Sequence, residues 1–332
     1  MTEPPAISPA DAAVPVSAAP ESFWGTVLRR LRYAIAILLS ALLFGTLGWW
    51  VASPPPQVAS VSLTVWPGHS ALLAVIVLAA ILVTATAVGS LLCHPDSPHQ
   101  GLWCALLGMV ALSSRGGTSF TLVQYAQDGG ADHYAGVCRL LALECIHWTV
   151  LFLLAETFAR FVHDRFLANT RWITRISPGA ATRMVGDRGA TLPRAPGKLN
   201  LPAAVAGPLA LLMNAAMGAL CLAILLQSEA KGQVVAACFF GFLASTFITA
   251  ITFPNVSAMM LFLSVPLAAA AGYLYASGQP GLISPSGYPG HPGNFFPRAL
   301  PIDFFAAGMP GAISGYYFAF HVTLNGGDSE KA

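Results

Sequence analysis

ALSSRGGTSFTLVQYA, residues 111–126, breaks an apolar stretch with an arginine, two glycines and several hydroxyls. Residues 101–112 alone would reach about 18 Å as a helix at 1.5 Å per residue, well short of the ~30 Å of hydrocarbon in a bilayer. A span that crosses here must therefore carry Arg115 with it, and 101–124 is the expected extent. The glycines after Arg115 predict that the helix loosens there, which at membrane depth requires protein or a wet cavity around it.

The rest of the chain makes a bilayer the natural setting. Of 332 residues, 55% are hydrophobic and only 9% charged, with a mean hydropathy of +0.66. Soluble domains carry about a quarter charged residues. The apolar runs are continuous and do not alternate, which disfavours a β-barrel. The fold class is all-α, a polytopic helical integral membrane protein. Eight spans are expected, near 33–52, 70–92, 101–124, 136–160, 202–227, 233–253, 257–277 and 303–321.

Charge placement orients them. Three arginines at 29–32, eight basic residues from Arg160 to Lys198, and Lys331 make twelve of the 16 Lys and Arg. All fall on one side if both termini are cytoplasmic, as the positive-inside rule requires. The expected location is the cell membrane, the inner membrane in a diderm bacterium. Residues 1–20 read as a disordered Pro/Ala/Ser tail, and 21–168 as an interfacial lead-in plus four helices. A basic linker follows at 169–200, then four more helices over 201–325 and a tail at 326–332. A cleaved signal peptide is not expected, because the leader is long and VASPPP is a poor cleavage site. The partners implied are the bilayer, anionic headgroups at the linker and other membrane proteins. Nothing points to nucleic acid or to a cofactor.

Polar residues inside the spans are the candidate site. Arg115 and Glu144, on consecutive spans, reach similar depths below the outer face and are expected to pair, since an unpaired charge there costs about 3 kcal/mol. His147 follows Glu144 at i+3, and Ser113, Ser114 and Thr118 add hydroxyls. Three readings stay open: a polar site opening outward with a cavity beside His147, a structural ion pair, or an interfacial arginine. Asn214 is expected to bond between helices. Ala237, Gly241 and Ser245, and Gly311 and Gly315, recur every four residues and predict close helix packing. Pro266 and Pro310 should kink their helices. Glu156, Arg160 and Asp164 align at i, i+4 on a helix that continues past the membrane. Aromatics in the 277–301 loop favour a cap on the bundle.

Other motifs carry less. The cysteines lie in or beside apolar runs and read as buried thiols. Cys93, His94, His99 and Cys104 match no zinc spacing, and no metal is expected. Glu156-x-x-x-Arg160 and His321-x-x-x-Asn325 faintly resemble the ExxxR and HxxxN elements of the CAAX-type intramembrane proteases. Ala155 stands where that family has a second glutamate, and the FxxxH motif is missing, so no family is assigned. Transport or sensing of a small solute, proton or ion at the polar site is the leading functional expectation. A scaffold or accessory subunit of a larger complex is the second, and a membrane hydrolase the third.

The charge asymmetry makes a direct prediction. A reporter fused at residue 185 should be active only on the cytoplasmic side. Activity only on the outer side would reverse the topology.

Overall fold

The computed structural model describes residues 23–54, 60–65, 71–93, 98–163, 165, 202–254, 256–279 and 295–329. The N-terminal tail, the basic linker at 169–200, loop residues 280–294 and the last three residues lie outside the described residues, as does Asp164. The described chain is all helical, and six of its helices are long and apolar enough to cross a membrane. These are α1 (Phe23–Ala52), α2 (Ala71–Cys93), α5 (Ala131–Val162), α6 (Ala203–Leu225), α7 (Lys231–Thr252) and α8 (Ala258–Ser277). Between them come α3 (Pro98–Arg115) and the short α4 (Phe120–Asp128), and α9 (301–329) closes the chain.

The first span begins earlier than expected: the lead-in from Phe23 is one helix with it. The third ends earlier. Helix α3 stops at Arg115, Gly117 takes φ 68°, and α4 is a separate element. Gly117 thus supplies the left-handed backbone that commonly ends a helix.

Helices α3 and α9 fall outside the six, and their burial explains why. Every residue from 301 to 313 is buried, and Leu102, Cys104, Ala105, Leu106, Met109 and Leu112 of α3 are fully enclosed. A helix shielded from lipid by other helices has no need of an apolar surface all round. The outer helices face the other way: Leu42, Trp50, Ile76, Ile146, Val150, Leu220, Ile224 and Phe240 are exposed. Helices from both sides of the basic linker pack together, α5 on α8 and α3 on α9, so the described chain forms one bundle.

Two of the helix irregularities coincide with prolines. The residue four before Pro266 is Phe262, where the first segment of α8 ends before a turn at Leu263. The residue four before Pro310 is Ala306, inside a π-helical turn at Phe304–Gly308. Each proline lacks an N–H for that carbonyl. Pro208 lies inside α6.

Glycine sets the closest seam. A Cβ on Gly311 would collide with the Phe239 carbonyl oxygen of α7, and one on Gly315 with the Leu243 oxygen. Gly241 faces α6, at ordinary contact distance from Cys221 and Leu222, while Ala237 and Ser245 are buried on α7. The two small-residue stripes therefore meet different neighbours. A Cβ on Gly136 of α5, by contrast, meets nothing within 4 Å.

Opposite outcomes follow at these glycines. Gly315→Leu is expected to destabilise the detergent-solubilised protein by about 3 kcal/mol or more, through overpacking against backbone. Gly136→Ala should stabilise it by roughly 0.5–1 kcal/mol, since alanine is the better helix former. Denaturant unfolding monitored by circular dichroism would read both.

Candidate functional site

Three acidic side chains are buried in the described bundle: Glu144, Glu156 and Asp303. Their surroundings differ, and the difference defines the candidate site.

Glu144 lies on the inward face of α5 at 0% exposure. Its Oε2 accepts from Ser62 Oγ at 2.5 Å, Leu63 N at 3.0 Å, Thr64 Oγ1 at 3.1 Å and Thr64 N at 3.4 Å. Its Oε1 accepts from Trp148 Nε1, one turn along α5, at 3.2 Å. All five donors are neutral. Four come from residues 60–65, part of the connection between α1 and α2, which tucks into the bundle with Ser60, Val61, Ser62 and Leu63 buried. Ser60 Oγ donates to the Thr118 carbonyl at 2.5 Å and can accept from Thr121 Oγ1 at 2.8 Å. A Cβ on Gly116 would meet the Val61 side chain at 2.5 Å, so the glycine that ends α3 also makes room for this segment.

The expected Arg115–Glu144 pair is not formed. Arg115 is exposed; its Nη1 donates to the Gly45 carbonyl at 2.7 Å, and its guanidinium lies 4.8 Å from the centre of the Trp49 ring. Gly45 sits in a π-helical turn of α1 (Phe44–Gly48), a geometry that disturbs the regular ladder of carbonyl partners. Ser114 is exposed as well. His147 also departs from expectation. It lies on the outer surface of α5, with Nδ1 3.1 Å from the Leu143 carbonyl oxygen, among exposed Leu143, Ile146 and Val150. Position i+4, Trp148, shares the inward face with Glu144; position i+3 has already turned toward the perimeter.

Asp303, near the N-terminal end of α9, is 1% exposed and faces a cation. Lys231 Nζ, at the start of α7, is 2.7 Å from Oδ1. Ser113 Oγ donates to the same oxygen at 2.5 Å, and Leu300 N donates to Oδ2 at 2.8 Å. Nearby, Tyr273 donates its hydroxyl to the Ala299 carbonyl at 2.6 Å, and Arg298 Nη1 donates to the Leu226 carbonyl at 2.7 Å. Ser119 Oγ reaches the Arg298 carbonyl at 2.7 Å. The described end of the 277–301 loop, residues 295–300, is thus tied down on the bundle. Burial pushes the Glu229 carboxyl up, and Arg298 draws it back.

Glu156 lies toward the opposite end. Arg160 Nε is 2.6 Å from its Oε1, the expected i, i+4 pair, and His99 Nδ1 is 3.1 Å from the same oxygen. The His99 ring packs edge-on to Phe262. His321 is exposed. Asn214, fully buried, donates to Thr246 Oγ1 at 3.0 Å, the Leu261 carbonyl at 3.0 Å and Ser264 Oγ at 2.7 Å, linking α6 to α7 and α8. Among the described residues no group of three or more His, Cys, Asp or Glu could hold a metal.

Sequence reading missed Asp303 with Lys231, His99 with Glu156, and the 60–65 segment. The segment did carry a signal: SVSLTV alternates polar and apolar residues, the period of an extended strand.

The fold and these contacts define a class and nothing narrower: an all-helical bundle of membrane-crossing character with a buried polar interior. No family model, no curated protein and no solved structure matches the chain.

Removing Asp303's charge should cost more than removing both charges of its pair. Asp303→Asn leaves the Lys231 ammonium buried against a neutral group, an expected loss of roughly 3–5 kcal/mol. Adding Lys231→Met should recover a substantial part. Thermal unfolding of the two single variants and the double variant, compared as a cycle, measures the coupling.

Proposed function

We propose that the chain is an eight-span protein of the cell membrane, with both termini in the cytoplasm, that moves or senses protons, or a proton-linked ion or small solute, at Glu144. Helices α3 and α9 supply the seventh and eighth crossings, and α4 is a short outer element. The observation that carries the reading is the all-neutral set of donors around a fully buried carboxyl. Asp303 and Glu156 each contact a basic side chain, as structural acids in a bundle do. An intramembrane carboxyl held only by neutral donors is better suited to exchanging a proton.

The contacts also supply a way to couple that exchange to movement. Ionised, Glu144 accepts from all five donors and holds residues 60–65 against the bundle. Protonated, it must donate one hydrogen, and Ser62 Oγ or Thr64 Oγ1 is the nearest hydroxyl to receive it. The backbone N–H groups of Leu63 and Thr64 then face a weaker acceptor. The 60–65 segment is held less tightly, and the outer end of the bundle loosens.

A second reading, scaffold or accessory subunit, draws on the charge contacts at Asp303 and Glu156 and on the glycine seam between α7 and α9. The two separate on one measurement. A cysteine placed at Val65 should react with a maleimide at a rate that rises as pH falls, after correction for thiol ionisation. Glu144→Gln, which keeps an acceptor oxygen but cannot titrate, should abolish that dependence. Mass spectrometry of the peptide containing residue 65 separates it from the native cysteines. The same profile in both proteins would reject the proton reading and leave the scaffold.

A further inference from the structure

The cysteines that fit no zinc pattern come together at one place. Cys93 is the last residue of α2, and Cys104 lies in the second turn of α3. Their Sγ atoms are 3.7 Å apart, and the residues are 5% and 0% exposed. Ala36, Tyr33 and Ile37 of α1, with Leu92 and Trp103, enclose the pair. Among the described residues no other two cysteines are in sulfur contact, and no third ligand joins these two to build a metal site.

We propose that Cys93 and Cys104 are a redox pair that forms a reversible disulfide by exchange with a low-molecular-weight disulfide. The sulfurs are already in van der Waals contact, and a disulfide of about 2.05 Å forms when they close the remaining gap. The product suits its surroundings. Two thiols become one neutral, apolar link inside an apolar wall, whereas a metal held by two thiolates would bring charge there.

Cys93 reacts first, being at a helix end and the less enclosed of the two. Its sulfur, having lost a proton, bonds to one sulfur of R–S–S–R and expels R–S⁻, which takes up a proton. Cys104, losing its own proton, then attacks Cys93 Sγ in the mixed disulfide and expels the second R–S⁻, protonated in turn. Two electrons pass from the cysteine pair to the small disulfide, leaving two R–SH. The link joins the end of α2 to the second turn of α3 covalently and fixes both against α1. The inference is independent of the Glu144 reading.

The test uses the full chain in detergent, treated with 4,4′-dithiodipyridine, then unfolded and alkylated. Of the six cysteines, all but two should take the alkylating agent. Non-reducing digestion should yield a peptide containing Cys93 joined to one containing Cys104, separated again by dithiothreitol. Cys93→Ser and Cys104→Ser should each abolish the link, while Cys221→Ser should leave it intact. Six alkylatable cysteines after treatment would overturn the proposal, as would pyridyl adducts without the joined peptides. The peptide map of the unaltered chain decides this even if a serine variant fails to fold.

Discussion

The approach of α9 to α7 at Gly311 and Gly315 sets where the polar interior lies. With no Cβ at either position, the α9 backbone reaches the carbonyls of Phe239 and Leu243. That contact draws α9 into the middle of the bundle, enclosed over 301–313. Asp303 enters with it and must find its partners inside, at Lys231, Ser113 and the backbone of Leu300. One turn beyond Pro310, Ser314 accepts from Trp103 Nε1 at 2.9 Å, tying α9 to α3. In a medium without water, each polar group that enters the bundle commits a neighbouring helix to answer it.

The buried acids show two ways of giving that answer. Asp303 and Glu156 meet basic side chains from other helices or from the next turn. Glu144 meets hydroxyls, backbone N–H groups and an indole. The first arrangement fixes a charge and loses much when either partner is removed. The second spreads the demand over groups that can rotate, and it recruits a stretch of non-helical chain to do so. Residues 60–63 of that stretch are buried among the helices, so their backbone polar groups must be answered by protein.

How far the sequence could be read follows the same division. Apolar run length is a property of each helix alone, and it located most ends of the long helices to within about five residues, except the start of α1, the end of α3 and the end of α9, which runs on to Ser329. Proline effects, likewise local, appear one turn before Pro266 and Pro310. Pairing across helices depends on rotation about each axis, which depth arithmetic does not contain. Arg115 and Glu144 agree in depth, yet Arg115 turns to Gly45 and Trp49 on α1. His147 shows how narrow the margin is: one residue before inward-facing Trp148, it lies on the perimeter. Asn214 was legible because a lone amide in an apolar helix has few options besides a neighbouring helix.

The enclosure of α9 also bears on the order in which the chain assembles. Its surface is made for other helices, so lipid alone is a poor host for it. The groove that receives it is built from α3, α5, α7 and α8, all of which precede it in the chain. Synthesis from the N-terminus therefore presents α9 after the helices that build its binding surface. Lys231, stranded at the start of α7 until then, gains its counter-charge at the same step. Helix α9 acts as a keystone for the helices before it, its arrival filling their shared groove and supplying Asp303 to Lys231.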